Sequence, residues 1–515
     1  MRSSAISKTV EKLLDYAENN KLIFGYDRIV ARNEIRDLLY ITGAPPEDYE
    51  KSQVENLEEL LNKILNYAVE NNLINDTVTE RDLFDVRVMG KLMPRQSEVN
   101  NSFWETATQK SIKKATEQYY KLAKDSNYIR KARIQKNLNW ITKTDYGEIE
   151  ITINLSKPEK DPAEIEKAKN APKTSYPKCY LCLENIGFAG HFNHPARQNH
   201  RVIELKLNDE LWFFQYSPYL YYNEHSIVFN KEHRPMQINK KTFKALFDFI
   251  DIFPHYFIGS NADLPLVGGS ILDHDHFQGG KHRFPIEAAG EEEYYKHPDF
   301  KEVNISRVHW PMSVIRLKSK NRKNLIKLAV LILMKWREYT DLNANIKAYS
   351  MEDGKKTNHN TITPIVRRKN KCYQLDLVLR NNRKNEEHPT GIFHPHKNLH
   401  HIKKENIGLI EVMGRAILPG RLKTELKLIE DLLSGKKSVK KVLLVEEMNK
   451  HKEWIFDLLE EYGSNLDSDQ AEIIIKQEVG KKYLEVLKDA GVFKNNSTGE
   501  KNFNKFMDHL NINIK

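Results

Sequence analysis

Cysteine is scarce in this sequence, with three residues among 515. So few cysteines, in an odd number, exclude a disulfide framework and favour a reducing compartment, so we expect a cytoplasmic protein.

Long apolar runs are also missing. The most apolar stretch, LIKLAVLILMKW at 325–336, is shorter than the roughly 20 residues that a membrane-spanning helix needs, and the N-terminal stretch MRSSAISKTVEKLLDYAENN lacks the apolar segment of a signal peptide. The sequence therefore predicts neither secretion nor a membrane partner.

The charge of the chain is biased toward the positive. Lysine and arginine number 81 against 71 acidic residues, which gives a net charge of +10 and an isoelectric point near 9.0. A positive balance favours anionic partners such as nucleic acid, a membrane surface or a phosphorylated small molecule. No dense basic block with interleaved aromatic residues stands out, however. A solvated surface of mixed charge is therefore the simpler interpretation, and no nucleic-acid partner is expected.

Length and periodicity divide the chain into four predicted regions, since 515 residues are too many for one small core. Residues 1–172 are predicted to be mainly helical, from the apolar spacing up to about residue 137. The stretch GEIEITINLS then predicts one strand, and a proline-containing, charged connector follows it. Residues 173–300 and 301–420 have the alternation of strands around a helix, and residues 421–515 look helical again. Helical spacing returns already beyond Asn406, where Leu409, Val412, Met413 and Ala416 are its first apolar residues. We predict an α+β fold with antiparallel sheets and packed helices, flanked by N-terminal and C-terminal helical regions.

The two central regions follow a similar order of elements. In the first, RVIELKLNDELWFFQYS predicts a hairpin around Asn208 and Asp209, HSIVFN a third strand, and NKKTFKALFDFIDIFP a helix capped by Asn239. HYFIGSN and LPLVGGSIL have the composition of further strands. In the second, VHWPMSVIRLKS predicts a strand, NRKNLIKLAVLILMKWREYT a helix, and TITPIVRR and CYQLDLVLR two strands. We interpret this order as a duplicated unit whose second copy lacks the histidines described next.

The stretch GGSILDHDHFQGGKH concentrates polar groups next to a predicted strand. His274, His276 and Gln278 are spaced by two residues, so an extended chain would place all three on one face. Glycine pairs flank them, and Gly268 and Gly269 allow backbone N–H groups to approach an oxyanion. Polar groups that converge on one face are costly unless they have partners. The pattern therefore favours a functional site over a polar strand end.

The pair Cys179 and Cys182 in CYLC is a redox pair, half of a metal site or two buried thiols. The sequence around it does not resemble the βαβ setting of a redox pair, and a metal site needs two more ligands. The histidines available for this are His191, His194, His200, His225, His233 and His274. A second histidine-rich segment, HPTGIFHPHKNLHH, has no flanking strand or glycine pair, so we interpret it as a surface or substrate-contact loop.

The segment DLPLVGGSILDHDHFQGG resembles the active-site signature of the type 2 galactose-1-phosphate uridylyltransferases, in the transferase branch of the histidine-triad superfamily. The segments HPARQNHR, WFFQYSPYLYYNEHSIVFNKEHRPM and GIFHPHKNLHHIKKENIGLIEVMGRAILPGRL are similar to the same family, so the resemblance extends over most of the chain. It implies two histidine-triad-like units, over 173–300 and 301–420, of which the second is degenerate. Asp273 departs from the family pattern, which has a small residue at this position.

The resemblance implies a ping-pong transfer of UMP between UDP-glucose and galactose 1-phosphate, as part of galactose metabolism. His276 would be the nucleophile, a role that suits a neutral imidazole, with Gln278 and His274 as the other catalytic residues. Implied substrate contacts are Arg197, Asn199, Arg201, Gln215, Ser217, Asn261, Gly268, Gly269 and Ser270. Implied ligands of a structural zinc ion are Cys179, Cys182, His233 and His274. The resemblance implies no organic cofactor. The implied partners are a UDP-hexose, a hexose 1-phosphate and a second copy of the chain in a homodimer.

Two other functions stay open. A histidine-triad-type nucleotide hydrolase or phosphorylase would use the same histidines but would transfer the nucleotidyl group to water or phosphate. Gln278 in place of a third histidine argues against the hydrolase. A zinc-stabilised nucleic-acid-binding protein would fit the net charge, but it would leave the group of His274, His276 and Gln278 unexplained.

Overall fold

The computed structural model describes residues 3–47, 49–51, 56–156, 175–352 and 354–514. The chain forms two compact units. The first comprises Met1–Lys136, Ser156–Leu220 and Glu224–Arg234, and the second comprises Asn137–Leu155, Tyr221–Asn223 and Pro235–Lys515. The division into four regions stays a prediction, and the connector expected before position 172 lies outside the described residues.

Helices and antiparallel strands are mixed along the chain, which confirms the α+β class. The helices are α1 Ser3–Asn19, α2 Asp27–Leu38, α3 Leu57–Glu70, α4 Val78–Gly90, α5 Gln96–Gln109, α6 Ile112–Asp125, α7 Lys131–Ile134, α8 Lys240–Ile252, α9 Pro285–Ala288, α10 Arg322–Glu338, α11 Leu409–Val412, α12 Leu422–Leu433, α13 Val439–Leu443, α14 Lys452–Tyr462, α15 Ser468–Ala490 and α16 Ser497–His509. The strands are β1 Leu138–Thr144, β2 Gly147–Ile153, β3 Ile203–Leu207, β4 Glu210–Tyr216, β5 Ser226–Asn230, β6 Phe257–Gly259, β7 His276–Gly280, β8 Glu291–Lys296, β9 Asn304–Val308, β10 Val314–Ser319, β11 Tyr349–Glu352, β12 Lys355–Asn358, β13 Asn360–Lys369, β14 Cys372–Asn381, β15 Arg415–Leu418 and β16 Asn513–Ile514. Short 3-10 helices lie at Leu183–Asn185, Leu342–Ala344, Lys397–Leu399 and Glu446–His451. Among the described residues, no helix combines the length and the apolar character that crossing a membrane requires.

The first unit begins with amphipathic helices. Asn56, Thr77 and Ser111 cap α3, α4 and α6, because their side chains accept hydrogen bonds from backbone N–H groups in the first turn. The apolar faces of α1 to α4 share one core, to which Val10 and Ile64 contribute fully buried side chains. The helices predicted for this part of the chain are confirmed.

Strands β3, β4 and β5 form an antiparallel sheet in the first unit. Asn208 and Asp209 join β3 to β4, and their φ angles are 49° and 61°. Two successive positive φ angles are typical of a type I′ turn, whose twist matches that of paired strands. Asn and Asp tolerate this left-handed conformation better than most residues. The predicted hairpin and third strand are therefore confirmed.

The second unit contains a larger antiparallel sheet, in the order β16-β8-β9-β10-β14-β13-β6-β7. Helices α8 and α10 pack on β13 of this sheet. Asn239 and Asn321 cap these two helices through their side chains, as predicted for Asn239. A second sheet pairs β1 with β2 and β2 with the parallel β15, and β11 pairs with β12.

The order of three strands, one helix and two strands occurs twice along the chain. The first occurrence is β3, β4, β5, α8, β6 and β7, and the second is β8, β9, β10, α10, β13 and β14, with the hairpin β11–β12 inserted. The two orders are similar, as predicted, but the last strand of the first is β7 and not LPLVGGSIL, and the second begins with three strands where the sequence indicated one.

Two predictions for the second unit are wrong. The stretch LPLVGGSIL turns instead of forming a strand, and Gly268 within it forms an isolated bridge with Ala262, which precedes it. A Cβ atom on Gly268 would lie 2.5 Å from the carbonyl oxygen of Ala262, so this close packing of backbone requires glycine. The helix that begins at Leu409 ends at Val412, and Ala416 lies in β15, where pairing with β2 replaces the helix.

Candidate functional site

The predicted nucleophile, His276, is the first residue of β7. Its side chain is buried, and its Nδ1 atom lies 2.8 Å from the carbonyl oxygen of His274. Because a carbonyl oxygen can only accept a hydrogen bond, Nδ1 carries the proton and Nε2 keeps its lone pair. Burial lowers the pKa of His276 to about 4, and the charge of the exposed Asp273 opposes this shift without cancelling it. The arrangement holds a neutral imidazole in one tautomer.

Gln278 lies two residues after His276 on the same strand, as predicted. Both residues lie in β7, so their side chains share one face, and the buried Phe277 points to the other. His274 is fully buried, but it lies in a bend before the strand begins. The prediction that a single extended segment carries all three polar residues is therefore wrong for His274.

A row of paired residues connects Gln278 with the interior of the second unit. Gln278 pairs with Gly259 of β6, which pairs with Ile365 of β13, which pairs with Asp376 of β14. Side chains of directly paired residues lie on the same face of an antiparallel sheet. The missing side chain of Gly259 makes space for Leu409 on this face. A Cβ atom at Gly259 would lie only 2.8 Å from a methyl carbon of Leu409.

The glycine pair before the histidines packs against Asn261. A Cβ atom on Gly269 would lie 2.5 Å from the Nδ2 atom of Asn261, so no larger residue fits without a shift. The Oδ1 atom of Asn261 accepts a hydrogen bond of 2.8 Å from the backbone N–H of Leu409. Ser270, next to the pair, is exposed. The second unit thus brings Asn261, Gly268, Gly269 and Ser270 together, while their contact with substrate stays a prediction.

Three of the four predicted metal ligands meet in the first unit. The sulfur atoms of Cys179 and Cys182 are 3.6 Å apart, and the sulfur of Cys182 lies 3.2 Å from Nδ1 of His233. The three ligand atoms lie within 4.8 Å of one another. Two sulfur donors and one imidazole nitrogen are ligand types compatible with zinc. Burial raises the pKa of Cys179 to about 12, so its deprotonation is unfavourable until a cation binds.

Two other histidines considered as ligands have different partners. The Nε2 atom of His194 lies 2.6 Å from Oδ1 of Asn185. The Nε2 atom of His200 lies 2.8 Å from Oε1 of Gln215, and burial lowers the pKa of His200 to about 3. Both imidazoles have lowered pKa values through burial and serve as neutral hydrogen-bonding groups.

Two of the predicted substrate contacts, Arg197 and Gln215, lie around an aromatic side chain, Tyr128, that the sequence did not single out. The ring of Tyr128 stacks on His200, with centroids 4.5 Å apart and planes at 21°. The guanidinium carbon of the half-buried Arg197 lies 5.5 Å from the centre of the same ring. Gln215 joins this group through its bond to His200. No local sequence signal distinguishes Tyr128 from the many aromatic residues of the N-terminal helices.

The remaining predicted contacts are held by the protein itself. The Nδ2 group of Asn199 donates to the carbonyl oxygen of Ser126 at 2.9 Å. The guanidinium of Arg201 donates to backbone carbonyls, including that of Pro94 at 2.8 Å. The hydroxyl of Ser217 accepts a bond of 3.3 Å from the backbone N–H two residues later. These contacts stabilise the first unit, and the roles of the three side chains toward substrate stay predictions.

The histidine-rich segment HPTGIFHPHKNLHH is a loop that contains the 3-10 helix Lys397–Leu399. Residues 391–395 are buried, so a surface location is wrong for this part, and contact with substrate stays a prediction. The Nε2 atoms of His396 and His400 lie 3.1 Å and 2.9 Å from backbone carbonyl oxygens of the same loop. His401 is buried and contacts His451 of the C-terminal helical region. Within the part of the chain that the structure describes, this loop forms no group of three metal-ligating side chains.

Two models of known protein families match the chain. Residues 38–235 match the family described as galactose-1-phosphate uridyl transferase, N-terminal domain, and residues 249–454 match the corresponding C-terminal domain. The chain belongs to the galactose-1-phosphate uridylyltransferase family. The protein is therefore an enzyme of the transferase class, and the resemblance found in the sequence is confirmed.

Relatives in this family are similar along nearly their whole length. A galactose-1-phosphate uridylyltransferase of Caldanaerobacter subterraneus subsp. tengcongensis is 56% identical over 97% of this chain and 97% of its own. Those of Clostridium acetobutylicum and Bacillus subtilis are 53% and 47% identical, over 98% of this chain and 100% and 98% of theirs. A crystal structure of yeast Ap4A phosphorylase Apa2 is similar at a TM-score of 0.31 and 12% identity, over 65% of this chain and 90% of that chain. That similarity is too low to support a conclusion.

Proposed function

We propose that the protein exchanges UMP between UDP-glucose and galactose 1-phosphate, giving UDP-galactose and glucose 1-phosphate through a covalent uridylyl-His276. The observation that carries this proposal is the 2.8 Å contact between Nδ1 of His276 and the carbonyl oxygen of His274. It fixes the tautomer in which Nε2 is the nucleophile. Family membership and relatives named for this activity support the choice of substrates.

The transfer consists of two displacements at the same phosphorus atom. In the first, Nε2 of His276 attacks the α-phosphorus of UDP-glucose, and the bond to the bridging oxygen breaks so that glucose 1-phosphate leaves. In the second, a phosphate oxygen of galactose 1-phosphate attacks, and the P–N bond breaks to restore the neutral imidazole. The Nδ1 proton stays on the ring in both steps. The carbonyl oxygen of His274 stabilises the positive charge that the ring acquires when Nε2 is bonded to phosphorus.

Other residues of the chain would bind and orient the substrates. We assign Gln278 as a donor to a nonbridging phosphate oxygen, because its amide N–H group carries no charge and does not compete as an acid. Backbone N–H groups of Gly268, Gly269 and Ser270, with Asn261, would hold phosphoryl oxygens. The nucleotide contacts in this proposal are Arg197, Asn199, Arg201, Gln215 and Ser217.

Zinc is the metal that the candidate ligands would hold. Two cysteines and two histidines are typical of a closed structural site, and Cys179, Cys182, His233 and His274 provide this set. The bound ion would supply structural stability, and it would fix His274, whose carbonyl oxygen orients the imidazole of His276. The proposal includes the expected cytoplasmic location. It also includes a homodimer, and size-exclusion chromatography with light scattering would test this oligomeric state.

Mass spectrometry after mixing the protein with UDP-glucose tests the function directly. We expect an added UMP on the peptide that contains His276 and its loss in His276→Ala. A matched control is His282→Gln in the same segment, because His282 contacts Glu150 at 3.0 Å and has no assigned role in the transfer. The control variant should keep the adduct on His276. An adduct in the loop 388–401 instead would contradict the assignment of the nucleophile.

Incubation with UDP-glucose alone separates the transferase from a hydrolase. The transferase stops after one covalent turnover when no sugar phosphate is present, because the second displacement needs an acceptor. Steady release of UMP without an acceptor would identify a hydrolase. Release of UDP from UDP-glucose that requires inorganic phosphate would identify a phosphorylase. Binding of RNA that falls with salt and is unchanged in His276→Ala would favour the nucleic-acid alternative.

A further inference from the structure

Tyr128 carries a hydroxyl group that is buried without a hydrogen-bond partner in the part of the chain that the structure describes. The residue follows α6, and 6% of its surface is exposed. Leaving a buried donor unpaired costs free energy, whereas phenylalanine would fill the same space without that cost. A hydrogen-bond partner from outside the chain would remove the cost of this unpaired hydroxyl.

Other tyrosines of the same unit show what an internally satisfied hydroxyl looks like. Tyr16 donates to the carbonyl oxygen of Asp125 at 3.1 Å. Tyr119 donates to that of Arg201 at 2.6 Å, and Tyr216 donates to that of Thr116 at 3.0 Å. Three hydroxyls in the same unit thus reach backbone carbonyls, which makes the exception at Tyr128 informative.

The neighbours of Tyr128 indicate the kind of partner. His200 stacks on its ring, and Arg197 lies 5.5 Å from the ring centre, so the hydroxyl is the polar part of the residue that remains available. His200 is fixed in turn by Gln215 at 2.8 Å. Arg197 and Gln215 are both assigned to the nucleotide in the proposed function, on grounds independent of Tyr128.

We infer that Tyr128 is a nucleotide-binding residue, whose hydroxyl donates a hydrogen bond to an oxygen of the nucleoside part of the uridine nucleotide. This inference rests on the proposed function and adds a residue of the N-terminal helical region to the nucleotide site. Burial raises the pKa of Tyr128 to about 12, so the hydroxyl keeps its proton at neutral pH and can donate. The acceptor is a ribose hydroxyl or a uracil carbonyl, and both present the same oxygen chemistry.

The test is the affinity of the full-length protein for UMP, measured by isothermal titration calorimetry in wild type and in Tyr128→Phe. Loss of one hydrogen bond to a neutral group should raise the Kd for UMP about tenfold. The KM for UDP-glucose should rise in the same variant. Its thermal midpoint should not fall, because the substitution removes an unpaired buried hydroxyl.

Tyr16→Phe is the matched control. It removes a hydroxyl that already has a protein partner, so its thermal midpoint should fall while its Kd for UMP stays at the wild-type value. Opposite changes in the two variants would separate ligand binding from stability.

Equal Kd values for UMP in wild type and Tyr128→Phe would overturn the inference and leave the proposed function intact. No binding of UMP by the wild type would refute the proposed function, and the inference with it. A comparison with dUMP identifies the acceptor. If Tyr128→Phe weakens UMP but not dUMP, the 2′-hydroxyl accepts the bond. Equal weakening of both supports another oxygen of the nucleoside.

Discussion

The Nδ1 atoms of His401 and His451 lie 2.8 Å apart in the second unit. On its other side, the Nε2 atom of His451 lies 3.0 Å from a carboxylate oxygen of Glu425. Both imidazoles are buried. For the two Nδ1 atoms to share a hydrogen bond, one must carry a proton and the other must be free of it. The pair is therefore stable only while at least one imidazole is neutral.

Acid should destabilise the protein through this histidine pair. Burial is the main cause that lowers the pKa of His401 to about 3, and the charges of His451, Lys482 and Arg421 lower it further. The unfolded chain binds a proton near pH 6.5, but the folded chain does not, so stability falls as the pH drops from about 6.5 toward 3. At pH 5 the loss from His401 is about 2 kcal/mol relative to pH 7.5.

Thermal unfolding at pH 7.5 and pH 5.0 measures this effect. Burial lowers the pKa of other histidines too, such as His200 and His276, so the informative quantity is the difference between wild type and His401→Phe. The variant should lose less stability than wild type on acidification. An equal loss in both proteins would show that His401 does not couple folding to pH.

Asp376 stabilises two buried arginines, and removal of its negative charge should strongly lower the free energy of unfolding. Its carboxylate oxygens lie 2.7 Å from Nε of Arg316 and 2.6 Å from Nη1 of Arg367, and all three side chains are buried. Although burial alone would raise it, the two guanidinium groups lower the pKa of Asp376 to about 2. Asp376→Asn removes the nearest carboxylate from both arginines, which keep only longer contacts, of 3.8 Å from Arg316 to Glu291 and 3.7 Å from Arg367 to Glu287. The substitution should cost about 3–5 kcal/mol of unfolding free energy.

An exposed aspartate provides the control for Asp376→Asn. Asp209 lies in the hairpin turn with 94% of its side chain exposed, so Asp209→Asn should change stability by less than about 0.5 kcal/mol. Urea unfolding of both variants compares the two sites. A similar midpoint for Asp376→Asn and wild type would mean that the arginines do not depend on this carboxylate.

Zinc content should depend on Cys182 and not on Cys372. Cys182 contacts His233 at 3.2 Å, whereas Cys372 opens β14 as a free thiol outside the candidate ligand set. Elemental analysis should therefore find about one zinc per chain in wild type and Cys372→Ser, and little in Cys182→Ser. Removal of the ion by a chelator should also lower the thermal midpoint, since binding of a structural metal contributes to folding. Wild-type zinc in Cys182→Ser would contradict the ligand assignment.

Local patterns in the sequence predicted much of the fold. Apolar spacing marked the N-terminal helices, Asn208 and Asp209 marked a hairpin, and Asn239 marked the start of α8, because each depends on neighbours within a few residues. The strand expected at LPLVGGSIL failed because Gly268 packs on the backbone of Ala262, a contact that composition does not report. Strand β1 was missed because a strand with few buried side chains lacks a clear apolar alternation.

The candidate site was predictable where its chemistry lies in one segment. The segment HDHFQ indicated His276 and Gln278, because residues two positions apart in a strand point to the same face. The hydrogen bond that fixes the tautomer of His276 involves the backbone of His274, and sequence patterns do not specify it. Contacts that join distant segments were missed, such as Tyr128 with His200, or His401 with His451.

The row of paired residues from Gln278 through Gly259 and Ile365 to Asp376 sets a practical limit on engineering this enzyme. A one-residue insertion or deletion in β6 or β13 would turn the side chains beyond it to the opposite face. It would change the orientation of Gln278 relative to the buried ion pairs of Asp376. Libraries aimed at new sugar or nucleotide specificity should therefore vary side chains at fixed strand lengths, and place changes of length in loops such as 388–401.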